Sequence, residues 1–264
     1  MRSFQYQSPI GGSVLFNLSP YLITSLKGLD MADLNIQEQV APFQDGTTPI
    51  DQLFKPREVV LEGAILYPND FSEIACGRRA IISGLNPKAG PGSAIYTNNL
   101  KSYALRNVVP EGPLFPDKQL PDPYQTFQVT FHCHDPYLYD TFAIEDTISV
   151  GGSNASVNSG DVMSDLLLAI NGPCVNPKIT NQFNGESIAY VGTLLSTQSL
   201  VINTAFGSKS ATLYTGGVAS NAMASISPSS IFFGLGIGST GITFSVSSGT
   251  PTCTLTHTNR YIGA

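Results

Sequence analysis

Apolar and polar residues alternate cleanly over Phe127-Gln128-Val129-Thr130-Phe131-His132-Cys133-His134. A period of two marks a strand with one buried face, here carrying Phe127, Val129, Phe131 and Cys133. Gln128, Thr130, His132 and His134 take the other face, and Asp135-Pro136 ends the run. Val59–Leu66 reads as a long core strand. Ser13–Leu18, Tyr21–Leu26, Ala94–Tyr96 and Ser102–Val109 read as further strands. One helix stands out. Asp70 and Glu73 have capping-box spacing, Phe71, Ile74, Ala75, Ile81 or Ile82, and Leu85 recur at roughly helical intervals, and Leu85-Asn86-Pro87 stops the run. Arg78 and Arg79 fall in its second half, where cations suit the dipole; a solvated or ion-paired face accounts for them better than phosphate binding. Pro110 to Pro123 reads as a proline-rich loop.

Another segment breaks the pattern. Leu34 to Phe43 and Thr48 to Phe54 flank Gln44-Asp45-Gly46-Thr47, and Asp-Gly between semi-apolar runs signals a β-hairpin. Its first arm mixes Ile36, Val40 and Phe43 with Gln37, Glu38 and Gln39. An arm that polar is poorly made to fold onto its own core. The pattern predicts a hairpin leaning on another surface, with Ile36, Glu38, Val40, Phe43, Asp45 and Gly46 as its contact residues.

Past residue 140 the charges thin to Glu145, Asp146, Asp161, Asp165, Lys178, Glu186, Lys209 and Arg260, and Ser and Thr become frequent. This shift divides the 264 residues into domains 1–140 and 141–264. The second reads as short strands between Gly, Asn and Ser turns: Thr147–Val150, Asp165–Ile170, Lys178–Asn181, Ser187–Val191, Ser199–Asn203, Ser210–Tyr214, Ile231–Leu235, Gly241–Val246 and Thr252–His257. Such spacing predicts a β-sandwich. A short helical turn is expected within Asn221 to Ser230.

Composition adds exclusions. Charged residues are only 12% of the chain and the net charge is -6, without basic clusters. Tight binding of nucleic acid through phosphates is therefore not expected. Cys76, Cys133, Cys174 and Cys253 lack C-x-x-C spacing. The first residues lack an apolar run and no segment is apolar enough to span a bilayer, so the expectation is cytoplasmic synthesis with four reduced, buried thiols.

Candidate chemistry is sparse. His132 and His134 share a strand face, but a metal site would need a third ligand from His257 or scattered carboxylates, so none is expected. No nucleophile elbow or phosphate loop occurs, and Asp161/Asp165 and Glu145/Asp146 read as solvated pairs. The chain is read as neither an enzyme nor a cofactor binder.

The order of several motifs resembles the distal tail proteins of siphovirus-type bacteriophages. In the first half these are Asp45-Gly46, Arg57-x-x-x-Leu61-x-Gly63, Leu85-Asn86-Pro87 and Phe131-x-Cys133-x-Asp135-Pro136. In the second they are Ile170-Asn171-Gly172, Pro177-x-Ile179-Thr180-Asn181, Leu200-Val201-Ile202-Asn203-Thr204, Ser229-Ser230-x-Phe232 and Arg260-Tyr261-Ile262-Gly263. The resemblance implies a mainly β chain: an N-terminal β-sandwich with one α-helix and a projecting hairpin, then a galectin-like C-terminal β-sandwich. It implies a homo-hexameric ring in the virion at the distal end of the tail, each hairpin belting its neighbour. Its implied partners are the tail tube protein, the tail-tip protein and the receptor-binding or other baseplate proteins, with DNA passing through a channel without being gripped, and with no membrane. The chain lacks room for large carbohydrate-binding insertions, which implies a hub rather than a direct host binder. The competing reading is a lectin-like adhesin, with Tyr190, Tyr214 or Phe183 standing in for the absent Trp. A tail tube protein would share the ring but would not need the second sandwich.

Overall fold

The computed structural model describes residues 2–67, 71–116 and 124–264. It divides into two units, residues 1–141 with Tyr261–Ala264, and Phe142–Arg260. The final four residues thus belong with the first unit.

In the first unit the alternating run becomes strand Tyr124–Cys133, antiparallel to Arg57–Leu66. Val59 lies opposite Phe131, Leu61 opposite Val129 and Gly63 opposite Phe127. The side chains of Val59, Leu61, Phe127, Val129 and Phe131 are buried, each stabilised by roughly 1.5–3 kcal/mol of burial. Gly63 is required by space: a Cβ there would lie 2.4 Å from the Leu22 carbonyl oxygen and 2.6 Å from Phe127 Cζ.

These strands belong to one nine-stranded sheet, ordered Ser13–Phe16, Ser3–Gln7, Gly92–Thr97, Ser102–Leu114, Tyr124–Cys133, Arg57–Leu66 and Tyr21–Lys27, with Leu138–Asp140 beside Ser102–Leu114 and Arg260–Tyr261 beside Leu138–Asp140. Its ends meet. Asn17 N–H donates to the Tyr21 carbonyl (2.9 Å) and Ile23 N–H to the Asn17 carbonyl (3.2 Å). The sheet therefore curls around its own core, where Phe4, Phe16, Phe127 and Phe131 pack with ring centroids 4.9–6.5 Å apart.

The helix is Phe71–Gly84. It buries Gly77 and Ile81, with Leu85 just beyond, while Ala75 and Ile82 are exposed. Ile81, not Ile82, is the inward residue. Leu85 N–H closes the last turn on the Ile81 carbonyl (2.9 Å) before Pro87. Asp70, the expected cap, lies outside the described residues. Arg78 stacks over the Phe115 ring at 4.7 Å, a cation–π contact rather than an ion pair.

The expected loop from Pro110 starts as strand instead, through Leu114. Pro110 stands just before, and Pro113 within, a register slip between Glu111 and Leu114, where the ladder is interrupted and a missing N–H costs little. Residues 117–123 lie outside the described set. Cys76 is exposed on the helix, so only Cys133, Cys174 and Cys253 are the buried thiols expected of all four. Burial pushes the Cys133 and Cys253 thiols up to about 12.

The second unit has a six-stranded sheet (Ile144–Ser149, Thr252–His257, Leu166–Asn171, Gln198–Asn203, Ser210–Thr215, Val218–Asn221) and a four-stranded one (Ser153–Asn158, Gly238–Ser245, Lys178–Asn181, Ser187–Ala189). Leu168, Ile170, Leu200, Ile202 and Leu255 of the first share a buried cluster with Ile179, Ile188, Ile242 and Phe244 of the second. The expected strand Ile231–Leu235 does not form. Only Leu235 bridges, to Ser164, in a stretch interrupted by Gly234 and Gly236. The helical turn is Met223–Ser225.

Candidate protein–protein interface

The polar segment does fold as a hairpin, Leu34–Gln39 against Thr48–Phe54, and forms a two-stranded sheet of its own. Leu34 pairs with Phe54, Ile36 with Gln52 and Asn35 with Leu53, and the register slips between Gln37 and Glu38. Alternation puts Ile36 on one face and Leu53 on the other. Ile36, Val40, Ile50 and Leu53 are all more than half exposed. Neither face has enough apolar area to hide against the rest of the chain, and both carry some that water must cover. Glu38 and Asp45 are exposed as well.

The tip differs from expectation. The arms end at Gln39 and Thr48, leaving residues 40–47 as the loop. Asp45-Gly46 is therefore not the two-residue turn of a tight hairpin. The tight turn is Ala41-Pro42-Phe43-Gln44, closed by Gln44 N–H donating to the Ala41 carbonyl (3.1 Å). Gln44 braces it with its side chain, accepting from Ala41 N–H (3.1 Å) and donating to Thr48 Oγ1 (2.9 Å). Proline second and a positive φ third is the type II pattern, in which glycine normally takes the third place. Here Phe43 takes it, at φ 66. A β-substituted residue is sterically strained there, yet Phe43 is fully exposed. A strained turn thus holds a large apolar ring clear of the chain.

At its root the hairpin is fixed. Lys55 N–H donates to the Asp33 carbonyl (2.8 Å), and the Phe54 ring meets Tyr137 edge-on at 5.9 Å. Beside the root lies a cavity of about 590 Å³ whose lining includes Met31, Lys55, Glu58, His132 and His134. The two histidines do share a face, as their spacing predicts. His132 is occupied on both sides, Nδ1 lying 3.2 Å from Glu58 Oε1 and Nε2 3.0 Å from Glu111 Oε2. Among the described residues no cluster of three ligating side chains has metal-site geometry.

The adhesin residues fare unevenly. Tyr190 is buried in the core of the second unit and offers no ring to a sugar. Phe183, on the loop after strand Lys178–Asn181, and Tyr214, within strand Ser210–Thr215, are exposed. Ile50 and Leu53 belong to the exposed apolar set but escaped the sequence reading, which had weighed only the first arm. The available signal was local: Ile50 between Pro49 and Asp51, and Leu53 after Gln52, repeat the mixed polarity of the first arm.

Two family profiles match the chain, one described as a phage tail protein RIFT-related domain over residues 10–133 and the other as a siphovirus-type tail component, C-terminal domain, over residues 159–261. The chain belongs to the siphovirus-type distal tail protein family. It is accordingly a structural hub or baseplate component of a phage virion, at the distal end of the tail. No curated protein matches in sequence. Among solved structures, SPP1 Dit (gp 19.1), described as a paradigm of hub adsorption apparatus in Gram-positive infecting phages, is similar over 98% of this distal tail protein and 99% of its own chain, with a TM-score of 0.74 and 10% identity. Chains of the phage P2 baseplate in its activated conformation, with Ca and with Sr, are similar over their full lengths, with TM-scores of 0.56 and 0.57 and identities of 6% and 7%. These likenesses are of fold. No helix among the described residues is long and apolar enough to cross a membrane.

Proposed function

We propose that this distal tail protein closes into a homo-hexameric ring in which each hairpin belts the neighbouring copy, so that the ring joins the tail tube to the tail-tip and receptor-binding proteins around a channel for DNA. The observation that carries this reading is the hairpin: an autonomous two-stranded sheet with Ile36, Val40, Phe43, Ile50 and Leu53 exposed over both faces and the tip. A second copy is the occupant it suits. A hairpin reaching from one copy to a different surface on the next is a heterologous contact, and such contacts generate rings when the rotation closes. The outer surface of the first unit's sheet supports an ungripped passage. Glu58, Glu62 and Glu111 lie on it, with Lys27 paired to Glu62 at 3.7 Å and Lys55 beside Glu58. A wall with that balance repels phosphates over roughly 8 Å at physiological salt.

Deleting Asn35 to Thr48 tests the belt. The expected product is a folded monomer by mass photometry, with the far-UV spectrum of a β-rich chain. Rings that persist in the deletion would end the belt reading. Duplex DNA at physiological salt should not bind the purified ring; sub-micromolar, salt-sensitive affinity would contradict the ungripped channel.

A further inference from the structure

Arg57 is 2% exposed, at the start of a core strand where the alternation calls for an apolar residue. Burial lowers the pKa of its guanidinium, yet its hydrogen-bonding partners are backbone carbonyls rather than a carboxylate. Nε donates to Pro136 (2.9 Å), Nη1 to Gly28 (2.8 Å) and to Asp30, and Nη2 to Ile262 (2.7 Å). A buried cation in such surroundings stands only because its donors are met. Those carbonyls come from three segments remote in sequence. Gly28 and Asp30 lie on the approach to the hairpin's first arm. Pro136 neighbours Tyr137, the ring that braces Phe54. Ile262 belongs to the segment that returns to the first unit after residue 260.

That returning segment is held along its length. Lys101 Nζ donates to the Tyr261 hydroxyl (2.7 Å) and sits 4.1 Å over its ring, while pairing with Asp140 at 2.6 Å. Ala264 N–H donates to the Leu29 carbonyl (3.0 Å). Gly263 passes so close that a Cβ would lie 3.3 Å from the backbone at Asp30 and Met31. Leu29 to Met31 is thus gripped by Arg57 and lined by the returning strand, three residues before the hairpin begins.

We infer that Arg57 is a positioning residue: by tying the 261–264 segment, the 135–137 corner and the 28–31 approach to one guanidinium, it fixes the direction in which the hairpin leaves the body. Its consequence for assembly rests on the belt reading above, but the fixed direction itself does not. A preset hairpin spends no ordering entropy when it meets a partner, and a loosened one must.

The test uses spin labels at Asp45→Cys on the tip and Leu100→Cys on the body, with exposed Cys76 changed to Ser. Distance distributions are compared between species of equal mass, in a Phe43→Asp background where rings would otherwise form. Arg57→Lys keeps the charge but cannot span three segments. Gly263→Val leaves Arg57 intact and pushes the returning segment from Asp30. Both variants should broaden the single narrow distance of the parent. With the native tip, the concentration at which oligomers dissociate should rise at least about tenfold. Unchanged distributions in folded variants overturn the inference. If rings form in neither parent nor variant, the belt reading fails while the distance comparison still decides this one. If both variants unfold, hydrogen exchange of the parent decides. The Lys55 and Ala264 amides should open as one unit, within about threefold of each other; protection of Lys55 persisting more than about tenfold beyond Ala264 overturns the coupling.

Discussion

Two antiparallel ladders neighbour each other in the first half of this protein and meet opposite fates. Arg57–Leu66 with Tyr124–Cys133 buries Val59, Leu61, Phe127, Val129, Phe131 and Cys133 on one continuous face. Leu34–Gln39 with Thr48–Phe54 has the same kind of backbone ladder but scatters its apolar side chains over two faces and a tip. Backbone pairing does not separate them, since both are antiparallel ladders. Side-chain distribution does. Concentrated on one face, apolar area is consumed by folding. Divided between two faces, it is left for a partner. The first ladder holds the chain together; on the proposed belt reading the second holds copies together, so one substitution type should read out as stability in one and as assembly in the other.

The sharpest way to break the contrast is a buried charge. Val129→Asp sets a carboxylate among apolar neighbours opposite Leu61 and should cost several kcal/mol, or prevent folding outright. Gln39→Asp, on the exposed arm, should change chemical-denaturation stability by no more than about 0.5 kcal/mol. Similar losses at the two positions would refute the division.

Alkaline titration gives a graded version. The Cys133 and Cys253 thiols, ordinarily near 9.0, are pushed up to about 12 by burial. Their folded forms therefore stay protonated after the unfolded forms ionise. Stability contributed by these thiols is fully present below about pH 9 and is lost as pH climbs toward 12, by about 1.4 kcal/mol per unit for each thiol. Cys133→Ala together with Cys253→Ala should flatten that decline in urea denaturation series. A native-state thiol titration at pH 8 should find Cys76 reactive, and denaturation should release the other three.

The two ladders also differed in how far the sequence disclosed them. Phe127 to Cys133 was readable residue by residue, because period two and burial coincide when a face is wholly apolar. Strand Ser153–Asn158 was invisible for the converse reason. Its inward residues include Ser156 and Asn158, satisfied by partners such as the Val162 and Leu235 carbonyls that no local pattern encodes. The hairpin was legible as a hairpin, and its unusual polarity pointed outward. Its turn was misplaced because Asp-Gly is the stronger local signal, whereas Pro42-Phe43 forms the turn by accepting strain. Arg57 was visible only as part of a motif. That its four bonds reach residues 28, 30, 136 and 262 is long-range information, and so is the return of Tyr261–Ala264 to the first unit.

Truncating one aromatic in each ladder sharpens the comparison. Phe131→Ala removes a ring packed against Phe4, Tyr6 and Phe16 and should cost about 3–5 kcal/mol. Ile36→Ser should leave monomer stability within about 0.5 kcal/mol while shifting the oligomer toward monomer. Mass photometry across a dilution series reads the second effect. A monomer as destabilised by Ile36→Ser as by Phe131→Ala would show that the hairpin packs at home after all.

The smallest expected effect is the most specific. Phe43 holds φ at 66, a conformation glycine adopts without steric cost. Phe43→Gly removes that strain but also loosens the unfolded chain, and the two terms oppose each other. Because the ring touches little of its own chain, the sum should lie within about 1 kcal/mol of zero, on the stabilising side. Asp45→Gly, nearby on the same loop, carries no strain to relieve and should only add unfolded-state entropy, so it serves as the control. If the strain is retained for the sake of the ring it displays, Phe43→Gly should yield a monomer at least as stable as the parent whose oligomers dissociate at higher concentration. Stability and assembly would then move in opposite directions from one substitution. A variant that assembles as well as the parent would leave the strained tip without a purpose in the interface and would confine the belt to Ile36, Val40, Ile50 and Leu53.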